Sequence, residues 1–261
     1  MAPRGKSIYD YPLYYDILFG WDRGDEAWFY SHLFRCRGAP DGGRVLEVGC
    51  GTGQVALRLA RLGWRVTGLD NRQPMLDFLA RKASEAQLDV RTIRADMTDF
   101  LLDEPCHVAF NPLGSFHILP DDASATAHLR AMVANLLPGG VYVLDVSFCA
   151  QDGREDEKGE AWTMRRGAIE ITADAGVVRV RDGVAGRSLT FKMGPHWGLR
   201  RCTGRAFADL VARSGGLALE AWHPETGRNE GGISLFDADR PRPPTDMSGR
   251  GMAVLRRTPA E

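Results

Sequence analysis

Three acidic residues in the first half of the chain stand where short apolar runs end: Glu47 in "VLEVG", Asp70 in "VTGLD" and Asp96 in "TIRAD". A carboxylate at the end of a buried strand can accept hydrogen bonds from hydroxyl or amino groups of a ligand lying across the strand ends. Directly after Glu47, glycine recurs at every second position, as Gly49, Gly51 and Gly53, with Cys50 between the first two. Glycine contributes no side chain and costs backbone entropy. Three in one short loop therefore point to sharp turning, or to something that lies against the backbone. Further on, "FNPLGSFHIL" gathers Asn111, Ser115 and His117. A histidine there is the best single candidate for accepting a proton, because its ordinary pKa lies near neutrality; the alternative is a surface histidine on a loop. "KMGPHWGLRR" adds His196, Trp197 and Arg200, a mixture of stacking and charge, with Trp197 either stacked on a ligand or serving as a packing pivot.

The elements that must position these residues alternate. Apolar runs at 44–49, 65–70, 90–96, 106–111 and 141–147 read as strands, and the segments 54–63, 75–87 and 123–140 between them carry helical spacing. Strands alternating with helices imply βαβ units, hence an α/β domain over 41–150 with a parallel sheet covered on both faces. After a polar charged stretch at 151–160, the runs "AIEIT", "VVRVR" and "SLTFKM" alternate with period two between glycine-containing turns. That pattern predicts a small antiparallel meander inserted over 151–200. A helix and two strands over 201–261 rejoin the main sheet, and a Pro-rich loop at 237–250 separates those strands. Residues 1–40 are rich in aromatics; Trp28, Leu33 and Phe34 recur at helical spacing and are expected to pack a short helix on the core.

Composition narrows the function classes. The chain of 261 residues has 44% hydrophobic and 26% charged residues and a formal net charge of −1, so no global field favours nucleic acid or an acidic membrane. Its five cysteines are dispersed and contain no C-x-x-C pair, which argues against a disulfide framework and a zinc site and suits a reducing cytosol. No secretory signal or membrane span is legible, so a cytoplasmic protein is expected, with no metal.

Glycine loops after a first strand hold either dinucleotides or S-adenosylmethionine. The dinucleotide fingerprint G-x-G-x-x-G requires a third glycine at position 54, where the chain has Gln54. "EVGCGTG" instead resembles motif I of the class I S-adenosylmethionine-dependent methyltransferases. The resemblance continues in order through "GLDNRQPML", "RADM" and "LLPGGVYVLD". It implies a Rossmann-like, doubly wound, mostly parallel sheet carrying a small antiparallel lid after strand five. It implies S-adenosylmethionine as cofactor and S-adenosylhomocysteine as product. By the same resemblance Glu47 faces the cationic methionyl end, Asp70 takes the ribose hydroxyls, Asn71 and Met75 line the adenine pocket, and Asp96 and Met97 meet the adenine edge; Gly49, Cys50, Gly51, Gly53 and Asn111 complete the cofactor set.

"N-P-L-G" resembles the N-P-P-Y element of nitrogen methyltransferases, with Leu113 and Gly114 in place of the second Pro and the aromatic. That departure turns the reading from a nucleic-acid base or a glutamine amide toward a small-molecule hydroxyl or amine. Tyr14, Tyr15, Ser115, His196, Trp197 and Arg200 are the expected substrate contacts, and His117 the expected base. Two other readings stay open: a non-catalytic protein that keeps cofactor binding, and a nicotinamide-dependent oxidoreductase. Oligomeric state is not legible.

Overall fold

A computed structural model describes residues 6–149, 161–192, 202–228, 234–245 and 247–259. In chain order it contains α1 (Pro12–Leu18), α2 (Gly24–Cys36), β1 (Arg44–Val48), α3 (Gln54–Arg61), β2 (Arg65–Asp70), α4 (Gln73–Glu85), β3 (Val90–Arg94), β4 (Cys106–Asn111), α5 (Asp122–Asn135) and β5 (Leu136–Phe148). There follow β6 (Trp162–Arg166), β7 (Ile169–Asp174), β8 (Val177–Asp182), β9 (Arg187–Lys192), α6 (Gly204–Ser214), β10 (Leu217–Arg228), β11 (Ser234–Phe236) and β12 (Gly249–Arg257). The main sheet has eight strands in the order β11-β10-β12-β5-β4-β1-β2-β3, and β6-β7-β8-β9 form a second sheet of four. Strands β1 to β5 pair in parallel, while β12 is antiparallel to both β5 and β10. The strand order reverses between β1 and β4. At such a point the loops leaving two neighbouring strands diverge and open a crevice at their carboxyl ends.

The expected alternation is present, with shifted boundaries that have local causes. Helix α5 stops at Asn135, one turn before Pro138 and Gly139, and β5 begins at Leu136. The buried Asn135 amide makes the stop: its Nδ2 donates to the carbonyls of Ala131 and Phe100, and its Oδ1 accepts from the Leu102 amide. At the other end Asp121 caps α5 by accepting from the Ser124 amide, as Thr203 caps α6 through Ala206. One face of the sheet is covered by α5 and α6 through Leu129, Met132, Phe207 and Leu210; the other by α2 and α3 through Tyr30, Leu33, Phe34, Val55 and Leu59. The reading of α2 is corrected at Trp28, which is 60% exposed and stacks on His32 instead of entering the core.

The second sheet follows β5 in the chain, as expected, but has a fourth strand, β6, beyond the three that period-two alternation revealed. In β6 the pattern W-T-M-R-R alternates for three residues only, and its last two positions are both exposed. This sheet packs on α1. Ile8, Tyr14, Ile17 and Leu18 share one apolar cluster with Ile169, Ile171, Val178, Val180 and Phe191. Tyr14 lies inside that joint: its hydroxyl donates to Asp182 Oδ2 (2.5 Å) and accepts from Arg187 Nη2 (2.6 Å). With both functions of the phenol engaged, Tyr14 fastens the second sheet to α1.

Asp16, on α1 and 1% exposed, joins the second sheet to the main one. Its Oδ1 accepts from Lys82 Nζ on α4 (3.0 Å) and its Oδ2 from Arg166 Nη1 on β6 (2.9 Å). Gln54 Nε2, at the first turn of α3, donates to the Asp16 carbonyl (3.0 Å). Removing the carboxylate strands two cations, but Lys82 and Arg166 are 31% and 51% exposed and can recover water. Asp16→Ala is therefore expected to cost about 2–3 kcal/mol, less than breaking a fully buried pair, as read by urea unfolding. An unchanged midpoint would remove Asp16 from this role.

Candidate functional site

The crevice at the strand reversal is floored by the loop after β1. Gly49, Gly51 and Gly53 have φ of +68°, +51° and +71°, a left-handed region that a β-carbon disfavours. What fills the space beside each differs, and this refines the expectation that all three simply admit a ligand. A β-carbon on Gly53 would sit 2.2 Å from Leu79 Cδ1, so this glycine admits α4. One on Gly51 would sit 3.2 Å from the Tyr15 ring, so α1 lays an aromatic face on the loop. At Gly49 the nearest neighbour, Ser115, stands at an ordinary 3.4 Å. Cys50 is buried against Gly68 of β2, with its thiol pushed up by burial, and serves packing.

Asp70 closes the loop from the end of β2. Its Oδ2 accepts from the Gly51 amide (2.9 Å) and its Oδ1 from the Arg72 amide (2.9 Å). Burial raises its pKa, and these two amide bonds oppose the shift. A carboxylate has about four lone-pair sites, so Asp70 keeps capacity to accept from a ligand hydroxyl. Asn71 beside it is exposed, and Met75 is buried at the start of α4.

Four buried side-chain atoms have no hydrogen-bond partner among the described residues: Glu47 Oε2, Thr52 Oγ1, Asn111 Oδ1 and Arg23 Nη2. Glu47, Thr52 and Asn111 lie in or beside the two strand ends that flank the reversal, and Arg23 bears electrostatically on both Glu47 and Tyr15. An orphaned buried polar atom costs about 1–3 kcal/mol, so four together mark a place built for a polar ligand. Asn111 is oriented by donating from Nδ2 to the Val48 carbonyl (2.8 Å), which leaves its Oδ1 as a fixed acceptor. Arg23 is held by Glu26 at 2.6 Å with one guanidinium nitrogen still to satisfy. Two acceptors and a guanidinium donor in one buried place are complementary to the ammonium and the carboxylate of an amino acid.

The remaining segments position other parts of a ligand. Asp96 is exposed, with Oδ1 accepting from the Thr98 hydroxyl (2.7 Å) and amide (2.8 Å), which hold its carboxyl below the usual range. The neighbouring Met97 carbonyl accepts from His128 Nδ1 at 2.8 Å. Because a carbonyl can only accept, His128 carries its proton on Nδ1, and its Nε2 accepts from the Tyr142 hydroxyl at 2.6 Å. Burial lowers the pKa of His128 to about 4, so this Tyr142–His128–Met97 relay stays neutral and fixed. On the other side of the crevice, Ser115 Oγ donates to the Pro112 carbonyl, and Leu113 is held at a φ of +58°, local strain of a kind that collects at ligand sites.

His117, the expected base, lies in the turn after β4 with its imidazole buried. It is 3% exposed, and its Nε2 accepts from the Ser147 amide at 2.9 Å. An imidazole nitrogen whose lone pair already holds a main-chain N–H can take a proton only by breaking that bond. His196, Trp197 and Arg200 lie outside the described residues. Sequence reasoning missed Arg23 and His128, because neither belongs to a motif; Thr52 stood in the open within "GCGTG".

Glu47 gives the site a pH signature. Burial, followed by repulsion from Glu26, moves its pKa from 4.5 to about 8. The folded state thus holds this proton more tightly than the unfolded state, so its contribution to stability is complete below about pH 4.5 and is lost as pH rises toward about 8. Glu47→Gln is expected to gain stability relative to the parent across that window, read by urea unfolding at several pH values. A difference independent of pH would mean that Glu47 ionises normally.

A doubly wound sheet with a glycine loop at its reversal point is the fold shared with class I methyltransferases. Residues 45–140 match the family model described as a methyltransferase domain. The match runs from β1 to the start of β5, the part of the main sheet that holds the glycine loop and Asp70. Over 119 residues the chain is 34% identical to a cypemycin N-terminal methyltransferase of a Streptomyces species, 46% of either chain. Over 111 residues it is 33% identical to a ubiquinone biosynthesis O-methyltransferase of Alkalilimnicola ehrlichii, covering 42% of this chain and 44% of that one. The chain's matches thus span less than half the length of these relatives. Likeness in fold extends further. A structure of an amino pentose methyltransferase of Micromonospora echinaspora, bound to S-adenosylmethionine, has a TM-score of 0.66 at 24% identity and covers 95% of this chain and 96% of its own. A sugar N-methyltransferase of a Streptoalloteichus species has a TM-score of 0.67 at 21% identity over 99% of both chains. No helix among the described residues is long and apolar enough to cross a membrane.

Proposed function

We propose that the protein transfers a methyl group from S-adenosylmethionine to an amine or a hydroxyl of a small molecule, with an amine favoured. The observation that carries this reading is the group of buried unpartnered atoms at the strand reversal, Arg23 Nη2, Glu47 Oε2, Thr52 Oγ1 and Asn111 Oδ1. In this reading Arg23 receives the methionyl carboxylate, Glu47 and Asn111 receive its ammonium, Asp70 the ribose hydroxyls, and Asp96 and the Met97 amide the adenine edge. S-adenosylmethionine, when bound, supplies a methyl on a cationic sulfur, open to in-line displacement. The chain supplies alignment and exclusion of water, effects that can carry much of such a reaction. Tyr15 covers the glycine loop from α1, and the sheet of β6 to β9 stands behind α1 as a substrate-side lid. Ser115, together with His196, Trp197 and Arg200, is assigned to the substrate side. His117 is assigned a positioning role, tying the segment after β4 to the end of β5.

An amine is favoured for two reasons. The fold relatives include a sugar N-methyltransferase, and one sequence relative is an N-terminal methyltransferase. In addition, an amine deprotonated in solution needs no side-chain base, which agrees with the engaged lone pair of His117. A cytoplasmic enzyme acting on neither nucleic acid nor membrane completes the proposal.

The test is formation of S-adenosylhomocysteine with a panel of amino sugars, peptides with free N-termini and phenols. Turnover on the phenols alone would reverse the preference for nitrogen, and cofactor binding without turnover across a wide panel would favour a non-catalytic role. Asp70→Ala should weaken S-adenosylmethionine binding by about 1.5–3 kcal/mol in isothermal titration, since it removes charge-assisted acceptors and also releases the Gly51 amide. Arg23→Ala should cost a similar amount for S-adenosylmethionine and almost nothing for its decarboxylated analogue. Equal losses for the two ligands would detach Arg23 from the carboxylate.

A further inference from the structure

We propose that His32, Cys36 and Asp239 form a surface site for a borderline-soft divalent cation of the zinc and cobalt class, separate from the cofactor crevice. His32 and Cys36 are four residues apart on α2 and therefore face the same side of the helix. Asp239, on the turn after β11, comes from a distant part of the chain and places its Oδ1 3.0 Å from His32 Nε2. Cys36 Sγ lies 3.5 Å from the same nitrogen, and the three donor atoms fall within 4.8 Å of one another. Around a tetrahedral ion with bonds of about 2.0–2.3 Å, neighbouring donors are separated by about 3.3–3.8 Å, so small side-chain adjustments close the site.

Its donors are braced. Trp28, one turn before His32, stacks on the imidazole with ring centres 4.9 Å apart and planes within 8°. The Asp239 amide donates to Asp237 Oδ1 (3.0 Å), and the Asp237 carbonyl accepts from Nδ1 of the fully buried His223 (2.8 Å). The neighbouring guanidinium groups of Arg37 and Arg256 are both bonded to Glu220, which offsets their charge next to an incoming cation. One thiolate, one imidazole and one carboxylate select zinc-like ions over calcium or magnesium, and exposure at Cys36 and Asp239 leaves a fourth position for water. On binding, the Cys36 thiol gives its proton to solvent, the proton that His32 Nε2 shares with Asp239 Oδ1 is displaced to solvent or to Nδ1 so that Nε2 presents its lone pair, and no group changes oxidation state. Absence of a C-x-x-C pair led to the expectation of no metal; the pair present here is His-x-x-x-Cys, completed only by the fold.

The site is tested with the full chain, stripped by chelator, kept reduced and titrated with cobalt(II). One equivalent should bring up a thiolate-to-cobalt band in the near ultraviolet, together with visible bands of tetrahedral intensity. Cys36→Ser should abolish the near-ultraviolet band, and Asp239→Ala should weaken binding by at least about tenfold. Melting temperatures in chelator confirm that each variant folds. Absence of the band with cobalt in excess, or a band that persists in Cys36→Ser, would overturn the proposal. So would an affinity that Asp239→Ala leaves unchanged.

Discussion

A single buried carboxylate, that of Asp16, decides how the two sheets of this protein meet. Its oxygens and its carbonyl receive Lys82 from α4, Arg166 from β6 and Gln54 from α3, so three elements of different origin converge on one residue of α1. Its neighbour Tyr15 covers Gly51, and Tyr14 locks onto Asp182 and Arg187 of the second sheet. The short α1 is thereby the pin between the glycine loop and the second sheet. An isolated helix of seven residues would not hold its shape in water; this one is ordered by the contacts on both of its sides.

The crevice shows the complementary economy. Among the described residues the other buried side-chain polar atoms are satisfied, even where that takes unusual arrangements such as the Asn135 amide stopping α5 or the Tyr142–His128 relay reaching the Met97 carbonyl. Unpartnered atoms concentrate instead in Arg23, Glu47, Thr52 and Asn111. Folding thus leaves its polar deficits where a ligand can meet them, and a carboxyl such as Glu47 stays mostly protonated until a cation arrives to favour its charged form.

Much of this was legible in the sequence because it is local. Period-two and helical spacing, the glycine loop and the strand-end carboxylates each depend on residues within a few positions of one another, and they identified the α/β core and the roles of Asp70 and Glu47 as candidates. What was missed is non-local. Whether Trp28 faces the core or solvent depends on which side of α2 meets the sheet, and the spacing of Trp28, Leu33 and Phe34 does not carry that information. His117 looked like a loop histidine because its partner, the Ser147 amide, lies thirty residues away on β5. Arg23 became visible only when the orphaned nitrogen was seen beside Glu47.

Gln54 occupies the position where a dinucleotide-binding loop would need its third glycine, and it spends its amide on the Asp16 carbonyl. Changing cofactor class on this scaffold is therefore not a matter of one substitution in a loop. A glycine at 54 would clear space for a closer helix while untying α1, and with α1 the cover over Gly51 and the seat of the second sheet. The commitment to one kind of cofactor is written into the architecture outside the pocket, so a drift toward nucleotides would have to rebuild the amino-terminal arm first.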